Sequence, residues 1–210
     1  MQKKNTLIKL KEKEREFRQS LIIEAAREVF GKKTYDRVSM AEIASSAGIA
    51  KSSIYTYFKS QEELYARIAC QDAGQFISRL SKILDQADDD IIRSGIDFFL
   101  DYYIKHQAQW RMITHFALHG NKDIASLDQL NQIGRKLMDL FESLFTRAGC
   151  PGDNRLMAHT LFACLSGVLI AFRNYPGRSE QERIIHMKRI GRQIESFIRS
   201  FIHNPSIHTP

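Results

Sequence analysis

Hydrogen-bonding side chains are concentrated in one nine-residue segment of the first third of the chain. They are Lys51, Ser52, Ser53, Tyr55, Thr56, Tyr57 and Lys59. The first three are short or flexible enough to approach base edges, and lysine can bind guanine O6 and N7. Tyr55, Tyr57 and Lys59 are placed to bond to phosphate oxygens, with the tyrosine rings packed on protein. The chemistry that this segment predicts is recognition of a nucleic-acid duplex.

Two short predicted helices hold this segment in position. Ser39, followed three residues later by Glu42, is typical of a capping box and predicts a helix over residues 40–47. That helix ends at Gly48, and after one tight turn a second helix is predicted over residues 50–58. This arrangement indicates a helix-turn-helix, whose second helix lies in the major groove of DNA.

The residue types at the predicted helix crossing fit this motif for steric reasons. Ala44 is small enough to let two helices cross closely, and Gly48 tolerates the positive φ angle that the turn requires. Four further apolar residues are expected to face inward and to hold the second helix at its angle: Ile43, Ala47, Ile49 and Ile54. Phe58, which has no polar group, is expected to pack as well.

The net charge of the chain is +7, and the excess lies mostly near its start. Residues 1–70 contain 14 basic and 9 acidic side chains, whereas residues 71–210 contain 17 and 15. A polyanion that meets the first third would explain this asymmetry, and so would a solubilising imbalance. Residues 1–18 are especially basic. The sequence leaves three structures open for them: a flexible arm along the minor groove, an extension of the first helix, or a disordered leader.

Helical periodicity continues through the rest of the chain and predicts an all-α fold. The first helix has its apolar face over residues 21–30 and ends at Gly31, and a long helix begins at Ser60. Further helices are predicted over about residues 91–106, 108–119, 123–148, 154–174 and 179–202.

No segment predicts export or a membrane span. The N-terminus is charged throughout, unlike a signal peptide, and the uncharged run over residues 157–172 is shorter than the ~20 residues that span a bilayer. Cys70, Cys150 and Cys164 are far apart in the sequence, and this spacing is typical of reduced thiols in a cytosolic protein. We expect a cytoplasmic protein without membrane contact.

Aromatic residues with polar tips cluster in the middle of the chain. Most aromatic side chains of a helical domain form its core, but rings beside histidines are also the components of an amphipathic ligand pocket. The predicted pocket residues are Phe99, Tyr102, Tyr103, His106, Trp110, His115, Phe116, Phe141 and Phe145.

The last two predicted helices have the features of a dimer interface. The helix over residues 154–174 is apolar on nearly all sides and carries small residues at near-helical spacing, so it must be buried on more than one side. The predicted interface residues are Ala163, Gly167, Ile170, Ile190, Ile194 and Phe197. Packing within a single chain is the alternative.

Neither a metal site nor a catalytic set is predicted. His115 and His119 stand at a spacing that can chelate a metal on a helix, but no further ligand completes the site. The glycine-rich phosphate loops and the nucleophile elbow motif are absent from the sequence, and no cofactor is expected. We therefore do not expect an enzyme.

The stretch LIIEAAREVFGKKTYDRVSMAEIASSAGIAKSSIYTYFKSQEELY resembles the N-terminal domain of the TetR (tetracycline repressor) family of bacterial transcription regulators. The resemblance covers about residues 18–66, and its motifs are A-x-x-x-F, I-A, A-G-I and I-Y-x-Y-F-K. It implies a helix-turn-helix domain over residues 1–66 and a helical ligand-binding and dimerisation domain over residues 67–210. The long helix from Ser60 joins the two.

The resemblance also implies a function. Members bind a near-palindromic operator in double-stranded DNA as homodimers, and a small-molecule effector usually releases them. In such proteins the hydroxyl residue at the place of Ser39 and the lysine at the place of Lys59 contact phosphate. Ser52 replaces a glycine of many relatives, so the operator sequence does not transfer.

These observations predict a ligand-responsive repressor whose effector is apolar or amphipathic. Two alternatives stay open: a ligand-independent, constitutive DNA-binding protein, and an enzyme built on the same fold. An affinity that no lipophilic compound changes would favour the first alternative. Turnover without DNA preference would favour the second.

Overall fold

The computed structural model describes residues 2–87, 90–119 and 125–203, with side chains left out at 2–5, 119 and 125–127. The helices are α1 (Gln2–Lys32), α2 (Met40–Ser46), α3 (Lys51–Tyr57), α4 (Gln61–Gln86), α5 (Ile91–Lys105), α6 (Gln107–His119), α7 (Ala125–Arg147), α8 (Asn154–Phe172) and α9 (Glu180–His203). A short 3-10 helix covers Tyr35–Arg37. These residues include no β-strand, and the predicted all-α fold is confirmed.

The basic N-terminal segment forms the beginning of α1. Of the three possibilities left open by the sequence, the structure shows the helical extension, because α1 is continuous from Gln2 to Lys32. It also passes through Gly31, which was expected to end it. Ile22, Ala26 and Phe30 are buried along the face that packs on the next helices.

Side-chain caps define where α2 and α4 begin. The Oγ atom of Ser39 accepts a hydrogen bond from the backbone N–H of Glu42 at 3.2 Å, which is one half of the predicted capping box. The Glu42 carboxylate pairs with Lys33. Ser60 caps α4 in the same way, through the N–H of Glu63 at 3.1 Å.

A complete capping box begins α9. The Ser179 N–H donates to Glu182 Oε2 at 2.7 Å, and the Glu182 N–H donates to Ser179 Oγ at 3.3 Å. The Ser179 hydroxyl also donates to Glu182 Oε2 at 2.8 Å, and the two bonds that this carboxylate accepts from Ser179 lower the pKa of Glu182. Asp153 caps α8 by accepting from the N–H of Leu156 at 3.0 Å. Polar residues at four helix starts therefore determine where the chain changes direction.

The chain divides into two compact units. The first comprises Met1–Gln71 and Met112–Asp128, and the second comprises Asp72–Arg111 and Gln129–Pro210. The first unit contains α1, α2 and α3, and the second contains α5, α8 and α9. The domain boundary predicted at residue 66 stays a prediction.

Helices α5, α8 and α9 pack on one another in the second unit. Gly191 lets α9 approach α5 closely, because an added Cβ atom there would lie 2.7 Å from Leu100 Cδ1 and 3.3 Å from Ile96 Cγ2. Phe99, Phe141 and Phe145 are fully buried in the interior. The second unit therefore has a core of its own.

A buried carboxylate also joins α5 to α9. Glu195 is 4% exposed, and it accepts hydrogen bonds from Arg199 at 2.9 Å and from Arg93 at 3.2 Å. Burial alone would raise the pKa of Glu195, but the bonds from the two arginines outweigh it and the net shift is downward. Arg199 also pairs with Asp90, at the start of α5. This cluster stabilises the helix pair as long as Glu195 is ionised.

Candidate nucleic-acid interface

Helix α3 presents its polar residues to solvent. Ile54 is fully buried and Phe58 is 2% exposed, so these two side chains attach α3 to the first unit, as expected for Phe58. The side chains predicted to contact a duplex are exposed, except that Tyr57 is half-buried: Lys51, Ser52, Ser53, Tyr55, Thr56, Tyr57 and Lys59. The structure thus brings all seven together on or directly after one short helix.

The turn before α3 has the geometry that the sequence predicted. Gly48 has a φ angle of +67°, and an added side chain would strain the backbone there. Ala44 is 1% exposed and Ile43 is fully buried at the crossing of the two helices. Ala47 and Ile49 are only half-buried, because they also line the cleft described below.

Ser39 is exposed at the start of α2. Its oxygen accepts the Glu42 N–H, which leaves the hydroxyl proton available as a donor. The cap fixes the position of this hydroxyl, so that a phosphate oxygen can be bound without ordering a flexible side chain. A phosphate contact by Ser39 stays a prediction.

A cleft of about 730 Å³ separates α1 from the turn and α3. Phe17 and Arg18 line it from α1, and Ser53, Thr56 and Tyr57 line it from α3. Arg18 is held by Glu14, to which its Nη2 and Nε donate at 2.9 and 3.2 Å. Arg18 was not predicted from the sequence as a functional residue. Its signal was a basic residue one helical turn before Ile22, the first buried residue of α1.

Most residues of the predicted effector pocket pack against one another inside the second unit. Ring centroids of Phe99 and Trp110 are 6.0 Å apart, those of Tyr103 and Trp110 are 4.8 Å apart, and those of Phe99 and Phe141 are 6.2 Å apart. Phe145 lines an apolar groove between α8 and α9. In this structure these rings form core, and their binding of a ligand stays a prediction.

Three side chains give the aromatic interior of the second unit polar groups: Tyr102, Tyr103 and His106. The Tyr102 ring lies 4.4 Å from the His106 ring. Burial, Lys105 and Arg79 lower the pKa of His106, so the imidazole is neutral at pH 7. Burial also raises the pKa of Tyr103, which keeps its hydroxyl protonated. The interior can therefore offer neutral hydrogen-bonding groups to a ligand.

Two predicted pocket residues lie in the first unit instead. His115 and Phe116 follow Met112, and the His115 ring lies 4.4 Å from Tyr35 and 5.3 Å from Tyr65. Phe116 lies 5.7 Å from Tyr65. The helical period that grouped them with Trp110 could not show that α6 contributes residues to both units.

The predicted dimer residues lie on an uncovered face of the second unit. Ala163 and Gly167 are exposed, Ile170 is 60% and Phe197 is 65% exposed, and Ile190 and Ile194 are half-buried. A groove of about 260 Å³ runs between α8 and α9 beside them. An added Cβ atom at Gly167 would meet nothing within 4 Å, so packing in one chain does not require this glycine.

Helix α8 is long and apolar enough to cross a membrane by length and composition, and 28% of that stretch is buried. Its buried side packs on α5 and α9, as the core helix of a bundle does. Cys70 and Cys150 are buried and Cys164 is exposed, all as free thiols. Among the residues described, no group of three or more His, Cys, Asp or Glu side chains could hold a metal ion. The side chain of His119 lies outside them.

The fold and this surface define a class, an all-helical protein with an N-terminal helix-turn-helix. The model of the bacterial regulatory proteins of the tetR family matches residues 22–68, which contain α2, α3 and the turn between them. Residues 22–68 therefore form a helix-turn-helix segment of the tetR family of bacterial regulatory proteins. It is 31% identical over 102 residues to the HTH-type transcriptional activator FasR of Mycolicibacterium smegmatis. That match covers 47% of this chain and 46% of FasR, less than half of either protein.

Solved structures share the fold over most of the chain. FadR from Bacillus subtilis, in complex with stearoyl-CoA, has a TM-score of 0.65 and 18% identity over 82% of this chain and 95% of that one. AibR, in complex with isovaleryl coenzyme A and operator DNA, has a TM-score of 0.63 and 17% identity over 83% and 96%. At this level of identity the similarity shows the fold alone.

Proposed function

We propose that this chain is a transcription regulator that binds operator DNA as a homodimer through α3. The observation that carries the proposal is the exposed set of lysine, serine and tyrosine side chains on α3, in a segment that matches the tetR-family model. Lys51, Ser52 and Ser53 contact base edges, and Tyr55, Tyr57 and Lys59 contact phosphates. The relatives are named as regulators, and we propose no catalysis.

A second copy of the chain covers the uncovered face of α8 and α9. Leu156, Ile170 and Phe197 are each at least 60% exposed there, and their burial would be a hydrophobic driving force for association. Gly167 costs helix stability without serving its own chain, which is explained if a partner helix packs closely against it. A dimer also has two α3 helices, one for each half-site of the operator, and the centres of the two half-sites are about 34–36 Å apart, one turn of DNA. Such a protein acts in the cytoplasm, together with the DNA.

The proposed effector is a small apolar or amphipathic molecule that binds in the second unit. Support comes from the aromatic interior around Tyr103 and Trp110, with its neutral polar groups. FadR and AibR, which share the fold, were solved with stearoyl-CoA and isovaleryl coenzyme A. Acyl-CoA thioesters are therefore the first effectors to test.

The proposed response to the effector is a population shift. The effector favours a dimer whose α3 helices no longer match the half-site separation. A coupling free energy of ~1–3 kcal/mol would lower operator affinity by ~5–150-fold. Release from the operator relieves repression. FasR is named an activator, so the direction of regulation needs a promoter assay of its own.

Sequencing of genomic DNA fragments retained by the purified protein tests the function. At about 0.15 M salt non-specific contacts are weakened, and we expect one enriched palindromic motif. The triple variant Lys51→Gln, Tyr55→Phe, Lys59→Gln should lose this enrichment. A matched control is Lys82→Gln with Lys136→Gln, which removes two exposed charges from the second unit. Retention of the motif by the triple variant would contradict the proposal.

The tight packing of the aromatic interior favours a second candidate, a constitutive DNA-binding protein without an effector. Phe99 and Phe141 are fully buried and their rings pack against each other, as in a filled core. The two candidates differ in one measurement, operator affinity across a panel of acyl-CoA thioesters and aromatic compounds. A constant affinity would favour the second candidate.

A further inference from the structure

Arg173 directly follows α8 in the second unit and is half-buried. Its Nη2 atom donates a hydrogen bond to the backbone oxygen of Tyr103 at 2.6 Å. Its Nη1 atom is buried, and among residues 2–87, 90–119 and 125–203 it has no hydrogen-bond partner. A buried guanidinium nitrogen without an acceptor is costly, because it has lost water and gained nothing in return.

The surroundings of Arg173 are more positive than negative. Burial and the nearby Arg111 guanidinium both lower the pKa of Arg173. Arg183 lines the same small cavity and donates to the backbone oxygen of Arg178 at 2.9 Å. The cavity wall also contains one carboxylate, that of Glu180. Two arginines and one carboxylate thus line the cavity, and the Arg111 guanidinium acts on Arg173 as a further positive charge, so an additional negative charge would be stabilised here.

The cavity beside Arg173 has a volume of about 40 Å³ and is also lined by Gln107 and Asn174. A water molecule needs roughly 10–15 Å³ by a comparable measure, so a few heavy atoms fit. A whole effector does not fit, but the oxygen atoms of a carboxylate or a phosphate do. The planar guanidinium fork matches both of these groups.

We propose that Arg173, with Arg111 and Gln107 beside it, binds the anionic group of the effector, a carboxylate or a phosphate. This inference rests on the proposed function in so far as it assumes an effector. The hydrogen bond from Arg173 to the Tyr103 backbone connects this site to the aromatic residues, since the Tyr103 ring lies 4.8 Å from Trp110. An apolar tail on Trp110 and a charged group on Arg173 define an anionic amphiphile. A neutral lipophile would leave the Arg173 Nη1 atom without an acceptor.

The test compares three probes that share a ten-carbon chain: decanoate, decanoyl-CoA and the uncharged decan-1-ol. Binding to the DNA-free protein is measured by calorimetry and by the fluorescence of Trp110, the single tryptophan. We expect at least one of the two anions to bind ten times more tightly than decan-1-ol. A preference for decanoate indicates a carboxylate group, and a preference for decanoyl-CoA indicates a phosphate group.

Arg173→Gln should reduce this preference to less than threefold. The matched control is Arg178→Gln, which removes a charge five residues away that packs over the Tyr175 ring and leaves the preference intact. If Arg173→Gln does not fold, Arg173→Lys decides: we expect at least threefold weaker anion binding and unchanged decan-1-ol binding. Equal binding of anion and alcohol, no binding of either anion, or a preference that survives both substitutions overturns the proposal. None of these outcomes depends on operator binding, which is measured separately.

Discussion

Lys51 and Lys59 carry the same charge near opposite ends of α3, and we expect different roles for them. Lys51 is the first residue of α3 and can reach a base edge, whereas Lys59 lies two residues beyond its end and can reach a phosphate. Lys59→Gln should weaken binding to all DNA sequences alike and lower the slope of log affinity against log salt by about one. Lys51→Gln should cost about 1–3 kcal/mol on the operator alone.

Fluorescence anisotropy with the operator and with a scrambled duplex, at several salt concentrations, measures both effects. Lys82→Gln is the control, because it removes an exposed charge from the second unit. A Lys51→Gln variant that lost affinity for both duplexes equally would show that Lys51 contacts phosphate instead.

Glu195 predicts a pH dependence of folding stability. The pKa of Glu195 is lower in the folded chain than its ordinary value. Ionised Glu195 therefore stabilises the folded state at every pH above that ordinary pKa. The contribution is lost as the pH falls through the lowered pKa. Since the carboxylate is 4% exposed and accepts from two arginines, Glu195→Gln should cost about 1.5–3 kcal/mol at pH 7.

Urea unfolding of the wild type and of Glu195→Gln, repeated from pH 7 down to pH 3, measures this contribution. The difference between the two unfolding free energies should shrink as the pH falls. Glu28→Gln, at an exposed position of α1, should show no such difference at any pH. A constant penalty across the pH range would mean that the charge of Glu195 is unimportant.

At the scale of elements, the continuous helix α1 restricts how the basic N-terminus can meet DNA. An α-helix with its side chains is about 10–12 Å wide, whereas the minor groove is about 6 Å wide. We therefore expect this segment, as a helix, to lie along phosphates instead of entering the minor groove. Removal of residues 2–13 should weaken binding to all sequences and flatten the salt dependence. An unchanged salt slope in the same anisotropy assay would exclude the contact.

The helix starts could be predicted because their signals are local. Ser39, Ser60 and Gly48 act through atoms within a few residues, so the sequence alone located α2, the turn and the beginning of α4. The extension of α1 was left open, since residues 2–18 mix apolar and charged types without an inner face. The family resemblance was confirmed because it rests on the same local segment.

Interactions between distant segments could not be predicted in this way. Glu195 was missed because charged residues on a helix usually indicate a solvent-exposed face. The signal that the sequence offered was the spacing of Glu195 from Met187, Gly191 and Ile198, which puts it on the buried face of α9. Arg173 was missed for a related reason, since its partner is a backbone oxygen some 70 positions earlier in the chain.

At the scale of the whole molecule, operator binding should depend on the uncovered face of α8 and α9. Gly167→Arg places a long charged side chain in open space in the single chain, so the fold should tolerate it. Between two copies the same side chain would collide, and we expect monomers with little affinity for the operator. Sedimentation velocity measures the mass. Gly134→Arg, an exposed position on α7, is the control, and an intact Gly167→Arg dimer would refute this interface.

The aromatic rings of the first unit come from two widely separated stretches of chain. Tyr35 and Tyr65 come from the N-terminal segment, and His115 and Phe116 come from the end of α6. A transplant of residues 1–66 onto another regulator would leave that second pair of rings behind. A chimeric protein would therefore inherit the helix-turn-helix without the rings that pack against Tyr35 and Tyr65, unless the new host supplied a matching pair.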